Sequence, residues 1–256
     1  MILTDTHTHL YLDEYNEDIQ QVIERAIENK VGYFLLPNID SSTIVPMNSL
    51  CNKYKDIMFP MIGLHPTSVK ENYLEECEIM RREAILNKYF AIGEIGIDLY
   101  WDLSFKAEQE YALKFQLELA MELNLPVSIH SRSSLSETIE MVKKVNTNNK
   151  LKGVFHCFGG TYEEAIDIID MGFLLGIGGV VTFKNSGLDK VLAHIDLDNI
   201  ILETDSPYLT PSPFRGKRNE SSFLVYIARK ISELKKISVE EVAEITTNNA
   251  RRLFNF

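Results

Sequence analysis

The 256-residue chain has no run of 18 or more apolar residues, the length that a membrane-spanning helix requires. Its best apolar run, Gly172 to Val181, covers about half of such a span, so no membrane partner is expected. A secretory leader is not expected either, because Asp5, His7 and His9 interrupt the first hydrophobic residues. Cysteine is scarce. Cys51, Cys77 and Cys157 are three and widely spaced, which excludes a disulfide framework and points to a reducing cytoplasm. Basic residues are in deficit, 26 Lys and Arg against 37 Asp and Glu, for a net charge of −11. That balance excludes a broad electrostatic grip on nucleic acid but leaves room for a local cationic site, to which bound divalent metals would add positive charge. Repeats, low-complexity tracts and linker-like composition shifts are also missing. One domain spanning residues 1–256 is therefore expected, close to the roughly 250 residues of one α/β barrel, and the protein is expected to be a monomer.

What the chain does have is a pattern of placement. Five of the six histidines stand where a short apolar run stops. Ile2-Leu3 leads into Asp5-Thr6-His7-Thr8-His9, and Phe59 to Leu64 leads into His65. Pro126 to Ile129 leads into His130, and Leu151 to Phe155 into His156. Glu94 follows Phe90 to Gly93, and Asp205 follows Ile200 to Thr204. Neutral imidazoles and carboxylates are the usual ligands of catalytic divalent metals. Side chains gathered at strand ends from across a chain converge only if those ends meet, as they do at the C-terminal face of a parallel barrel.

The apolar runs predict eight strands: Met1–Thr8, Tyr33–Pro37, Met58–Leu64, Tyr89–Glu94, Pro126–Ile129, Leu151–His156, Phe173–Gly176 and Asn199–Glu203. Helical spacing falls between them, over Glu14–Asn29, Thr43–Tyr54, Tyr73–Asn87, Phe105–Asn124, Ser134–Val145, Thr161–Met171 and Leu188–His194, and then over Phe223–Leu234 and Val239–Asn248. Ser134/Glu137, Thr161/Glu164 and Ser238/Glu241 have capping-box spacing. The strands are continuously apolar, as when helices cover both faces. The fold class is α/β, a single closed (β/α)8 TIM barrel with the site at its C-terminal face; an open doubly wound sheet is the alternative. A dinucleotide loop at Gly176-Ile177-Gly178-Gly179 is excluded, because position 181 is Val where the glycine spacing needs Gly.

Residues two apart on a strand share a face, so Asp5, His7 and His9 point together, and the two histidines can bracket one cation. One such pair could equally cap a strand. Seven candidates on six strand tips are hard to obtain by chance, and a metal site is the better reading. Glu94, flanked by Gly93 and Gly96, could bridge two cations in a crowded mouth, and Asp98 is either its supporting partner or an ordinary loop residue. Arg132, Lys184, Arg215, Lys217 and Arg218 fall in loops after strands, on the metal face, where they suit phosphate oxygens. Tyr100-Trp101 either stacks an unpaired base or packs the following helix, and Cys157 reads as a small buried residue.

Together these pieces resemble the TatD family of metal-dependent deoxyribonucleases, among the amidohydrolase-like metal barrels. The matching motifs are Asp5-Thr6-His7-Thr8-His9, Gly63-Leu64-His65-Pro66, Gly93-Glu94-Ile95-Gly96-Ile97-Asp98, Ile129-His130-Ser131-Arg132 and His156-Cys157-Phe158-Gly159-Gly160. Gly179-Val180-Val181-Thr182-Phe183-Lys184-Asn185, Glu203-Thr204-Asp205-Ser206-Pro207 and Arg215-Gly216-Lys217-Arg218-Asn219 complete the set. The resemblance covers nearly the whole chain. It implies a binuclear site, with His7, His9 and Asp205 on one metal, His130 and His156 on the other, and Glu94 bridging. It also implies that His65 lies near the substrate phosphate rather than on a metal. Thr67, Ser134 and Ser221 depart from the family pattern without touching a ligand.

Many binuclear amidohydrolases that cleave amides or lactones bridge their metals with a carbamylated lysine. Here the fourth strand ends in Glu94 and the nearest lysine, Lys88, precedes it. This favours cleavage of phosphodiester bonds in DNA, with 3′-to-5′ exonuclease action as one form of it, and with two divalent cations drawn from zinc, magnesium, manganese or nickel. Asp205 would be the base, and Arg132, Lys217 and Arg218 would neutralise the phosphate. Hydrolysis of an amide, ester or aminoacyl ester at the same site is the first rival. A non-catalytic nucleic-acid-binding scaffold is the second, and the acidic charge counts against it.

Overall fold

The computed structural model describes residues 1–256. Strands and helices alternate as β1 (Leu3–Asp5), α1 (Ile19–Glu28), β2 (Val31–Pro37), α2 (Ile44–Lys53), β3 (Met58–Met61), α3 (Tyr73–Leu86), β4 (Ile92–Asp98) and α4 (Lys106–Leu123). They continue as β5 (Val127–Arg132), α5 (Leu135–Val145), β6 (Gly153–Phe155), α6 (Tyr162–Asp170), β7 (Leu174–Ile177), α7 (Leu188–Leu192), β8 (Ile200–Leu202), α8 (Leu224–Lys235) and α9 (Val239–Phe254). All strand pairings are parallel, in two ladders, β1 to β3 and β4 to β8.

The ladders meet at two seams. Between β3 and β4, around the Ile62–Ile92 bridge, Phe90 N–H donates to Pro60 O at 3.0 Å, Ile62 N–H to Ala91 O at 3.1 Å and Gly93 N–H to Ile62 O at 2.9 Å. Between β8 and β1 the Thr8–Ser206 bridge remains, and Thr6 N–H reaches Leu202 O at 3.0 Å. These bridges carry the strands round into one ring rather than an open sheet.

Strand alternation splits the core in two. Leu35, Phe59, Met61, Ala91, Val154 and Ile201 form an inner cluster, closed off by Ala250 and Phe254 of α9. Their strand neighbours Phe34, Leu36, Met58, Ile62, Phe155, Ile200 and Leu202 belong to a larger cluster of 54 buried residues shared with the helices. The runs are continuously apolar because each strand has both an inner and an outer partner.

Polar side chains staple the β8/β1 seam. The buried Asp5 carboxylate accepts from Thr204 N at 2.9 Å and from its hydroxyl at 2.6 Å, 199 positions away. From α9, Thr247 donates to Ile2 O and Asn249 Nδ2 donates to Ile200 O. Burial pushes the Asp5 carboxyl up to about 7, against these hydrogen bonds.

Several details differ from the sequence expectation. The first helix begins at Ile19 rather than Glu14, after a single 3-10 turn over Asp13–Tyr15. Of the three expected capping boxes, Thr161 forms both halves with Glu164, and Ser238 accepts from Glu241 N. Ser134 does not cap α5, because its hydroxyl donates instead to Ile97 O at 2.6 Å. β4 and β5 run on to Asp98 and Arg132, so Glu94 and His130 lie within strands rather than at their tips. His7 and His9 lie beyond the end of β1.

β4 is irregular where the chemistry sits. Its pairing with β5 jumps between Ile92 and Ile95, and Gly96 has φ +154°. A Cβ on Gly96 would stand 1.9 Å from the carbonyl oxygen of His130, so only glycine lets β4 approach β5 there. Gly96→Ala should cost about 2–3 kcal/mol, as for overpacking, and lower Tm by on the order of 5–10 °C. Calorimetry checks this, and an unchanged Tm would mean that β4 can swing away from β5.

Candidate metal centre

His7, His9, His65, His130 and His156 converge on one carboxylate. Glu94 Oε2 faces His7 Nε2 at 3.0 Å and His9 Nε2 at 3.6 Å. Glu94 Oε1 faces His130 Nδ1 at 2.8 Å, His156 Nε2 at 3.1 Å and His65 Nε2 at 3.3 Å. Asp205, at φ +56° just past β8, brings Oδ1 to within 3.7 Å of His9 Nε2 and 3.9 Å of His7 Nε2. Three donor groups result, His7–His9–Asp205, His7–Glu94–His156 and His65–Glu94–His130, each with ligand atoms within 4.8 Å of one another. Glu94 belongs to two of them.

Neighbouring contacts fix which ring nitrogen is free. The Tyr11 hydroxyl donates to Pro37 O at 2.5 Å, so its oxygen accepts from His9 Nδ1–H at 3.0 Å and leaves Nε2 with its lone pair. His156 Nδ1–H donates to Glu203 Oε1 at 3.2 Å, which leaves Nε2 facing Glu94. His65 is the exception. Its Nδ1 accepts from Thr67 N–H at 3.1 Å and from the Thr67 hydroxyl at 2.7 Å. The ring proton then sits on Nε2, so His65 offers the cavity a hydrogen-bond donor and not a ligand lone pair. His130 lies between two carboxylates, with Nε2 2.9 Å from Asp98 Oδ2.

The electrostatics favour positive charge at the centre. Burial pushes the Glu94 carboxyl up, but the fields of His65, His7 and His156 and the His130 hydrogen bond hold it well below the usual carboxylate range. Asp205 is held low in the same way, chiefly by its His9 hydrogen bond and the field of His156 acting against burial. Burial opposes a proton on His156, yet Glu94 and Glu203 together hold its pKa well above the imidazole value. His7, fully buried beside His156, is pushed down. Nitrogen and carboxylate donors packed together in a low-dielectric pocket suit divalent cations, and the donor set present fits them.

The centre forms the floor of a cavity of about 660 Å³, lined by His9, His65, Glu94, His130, His156 and Asp205 among others. Of the five cations expected near the phosphate, only Arg132 lines it, and it does so from within β5 rather than from a loop. Lys184, Arg215 and Lys217 are exposed and lie outside the lining, with Arg215 over the Phe183 ring at 4.2 Å. Arg218 is committed elsewhere. Its two guanidinium nitrogens bind Asp18 at 2.8 and 2.6 Å, and the group covers the Tyr15 ring at 4.7 Å. Beside it Arg25 forks onto Glu220, so both arginines brace the segment that follows Asp205. Their partners are 200 and 195 positions away, a pairing that loop position could not reveal. Cys157 is also placed differently than expected. It is half-buried, has φ +49° and lines the cavity wall, because the chain turns immediately after β6.

Sequence reasoning missed Glu203, which is fully buried and receives both His156 Nδ1–H and the Cys157 N–H on one oxygen. Its other oxygen has no partner and lies where a Cβ on Gly176 would come within 2.3 Å. The available signal was the period-two spacing of Glu203 and Asp205 at one strand end. Thr67 and Tyr11, which set the His65 and His9 tautomers, gave no such signal.

A parallel α/β barrel with a His and carboxylate centre at the C-terminal ends of its strands defines the class of metal-dependent hydrolases. The family model described as TatD related DNase matches residues 4–255, and the chain belongs to that family. It is 40% identical over 254 residues to the Bacillus subtilis "Uncharacterized metal-dependent hydrolase YabD", covering 99% of each chain. To the Pantoea ananatis "3'-5' ssDNA/RNA exonuclease TatD" it is 34% identical over 256 residues, covering 98% of each. The crystal structure of the TatD homologue YjjV from Escherichia coli K12 superposes with a TM-score of 0.92 at 28% identity, covering 99% of this chain and 98% of that one. The protein is a TatD-family metal-dependent hydrolase.

Glu203→Gln should leave the fold intact but lose the charge that orients His156. Metal affinity should fall by about 10–100-fold, as when a ligand histidine loses its carboxylate partner. Competition against a metal-sensitive dye measures this, and unchanged affinity would make Glu203 only a packing residue.

Proposed function

We propose that the protein hydrolyses phosphodiester bonds in DNA with two divalent cations. The observation that carries this reading is the division of Glu94, one oxygen turned to His7 and His9 and the other to His130 and His156. In this reading His7, His9 and Asp205 would hold one cation and His130 and His156 the other, with Glu94 as a ligand shared by the two groups. When bound, the two cations would lower the pKa of the attacking water and offset charge on the phosphate. Asp205, ionised and open to the cavity, accepts the proton of that water. His65, with its proton fixed on Nε2 by Thr67, donates to a phosphate oxygen, and Arg132 neutralises the phosphate from the cavity wall. The Pantoea ananatis relative is named a 3'-5' ssDNA/RNA exonuclease, which supports a nucleic-acid substrate. Lys88, exposed and preceding β4, lies outside the cavity lining, which counts against a carbamylated-lysine amidohydrolase.

Stripping with EDTA should abolish hydrolysis of a p-nitrophenyl phosphodiester and of DNA, and added divalent metal should restore both. Full activity in protein shown by elemental analysis to be metal-free would sink the reading. Faster turnover of p-nitrophenyl acetate than of the phosphodiester would transfer it to the carboxyl-ester class. Asp205→Asn should keep most of the metal and lose ~10²-fold or more in kcat with little change in KM. Near-normal kcat would remove Asp205 from the chemistry, and loss of metal along with activity would make it chiefly a ligand.

A further inference from the structure

The segment between β4 and α4 carries the largest apolar groups that the fold leaves uncovered near the cavity. Leu99 and Phe105, at its two ends, pack against the core. Tyr100 and Trp101, between them, are 57% and 68% exposed, and Trp101 lines the same cavity as Glu94 and Asp205. Their rings stand edge to face, 4.9 Å apart at 87°. The Arg132 guanidinium lies 4.1 Å from the Tyr100 ring centre and 5.3 Å from that of Trp101.

The segment is held in this shape. Asp98 Oδ1 accepts from Tyr100 N at 2.9 Å and from Trp101 N at 3.2 Å, while Oδ2 of the same carboxylate holds His130. Asp102 pairs with Lys70, whose ammonium sits 5.0 Å above the Phe105 ring. Leaving two large rings exposed is unfavourable unless something covers them. Packing on α4 is not their role, because Leu99 and Phe105 already supply it.

We infer that Tyr100, Trp101 and Arg132 form a nucleobase-binding subsite, on which an unpaired base of the substrate stacks while its phosphodiester reaches the centre. Flat aromatic surface matches a base, and the guanidinium behind it adds cation–π attraction and sits beside the phosphate. Across the mouth, Tyr208 and Leu209 are also partly exposed and line the cavity, which gives a neighbouring base a second apolar wall. Asp98 ties the subsite to His130, so base and phosphate are placed by one rigid element. The subsite rests on the phosphodiesterase reading for its substrate, although base binding can be measured without turnover.

Trp101 is the only tryptophan in the chain, so its fluorescence reports this subsite alone. Thymidine 5′-monophosphate should quench it saturably in the purified enzyme, and deoxyribose 5-phosphate, which lacks the base, should not. Hydrolysis of thymidine 5′-(p-nitrophenyl phosphate) is then compared with that of methyl p-nitrophenyl phosphate. Trp101→Ala should raise KM for the thymidine ester by about 10-fold or more, the scale of one base stack, and leave the methyl ester within two-fold. Trp101→Phe should recover most of the difference. If both esters are cleaved and Trp101→Ala affects them equally or not at all, the subsite is overturned and the phosphodiesterase reading stands. If neither ester is cleaved but base-dependent quenching persists, the subsite stands and the phosphodiesterase reading falls. Quenching that is absent, or equal with deoxyribose 5-phosphate, overturns the subsite.

Discussion

A single buried carboxylate organises this protein. Glu94 meets five imidazoles within 3.6 Å, from segments that follow or form four other strands of the ring. An unaccompanied carboxylate at that depth would take up a proton, because burial disfavours its charge. Here the histidines reverse the balance and keep it ionised. The ring of strands must therefore close for the site to exist, and the site's charges are tolerable only because the ring brings them together.

The same interaction explains the irregularities around it. Glu94 reaches the centre because β4 breaks register between Ile92 and Ile95, and Gly96 then lets β4 press against the His130 backbone. That approach places Asp98 beside His130, and the other oxygen of Asp98 gathers the Tyr100 and Trp101 amides. From there the control passes outward. One element thus links barrel packing, histidine orientation and the rim of the cavity, which is why a substitution at Gly96 is a change to the site as well as to the core.

On the opposite side, the segment after β8 depends on charge pairs rather than on packing alone. Arg25 and Arg218 clamp Glu220 and Asp18, and Asn219 Nδ2 donates to Thr204 O at 2.8 Å. This fastens the chain on both sides of Asp205, whose left-handed backbone aims its carboxylate at His7 and His9. The acidic chain thus spends Arg218 on architecture and keeps Arg132 for the cavity.

Much of this was legible in the sequence. Continuous apolar runs of strand length, separated by helical periodicity, determined an α/β barrel, because each strand has to be covered on two faces. His7, His9, His65, Glu94, His130, His156 and Asp205 could be located because polar donors that end apolar runs stand out against them. What the sequence did not determine is which donor faces which. The tautomers of His9, His65 and His156 depend on Tyr11, Thr67 and Glu203, whose contacts are a matter of side-chain geometry. The role of Arg218 depends on Asp18, 200 positions away. That a polar donor closes an apolar run is local pattern, and so it can be read from the chain. Pairing between side chains is set by the closure of the ring, which brings together residues that the sequence keeps apart, and only the tertiary structure decided it.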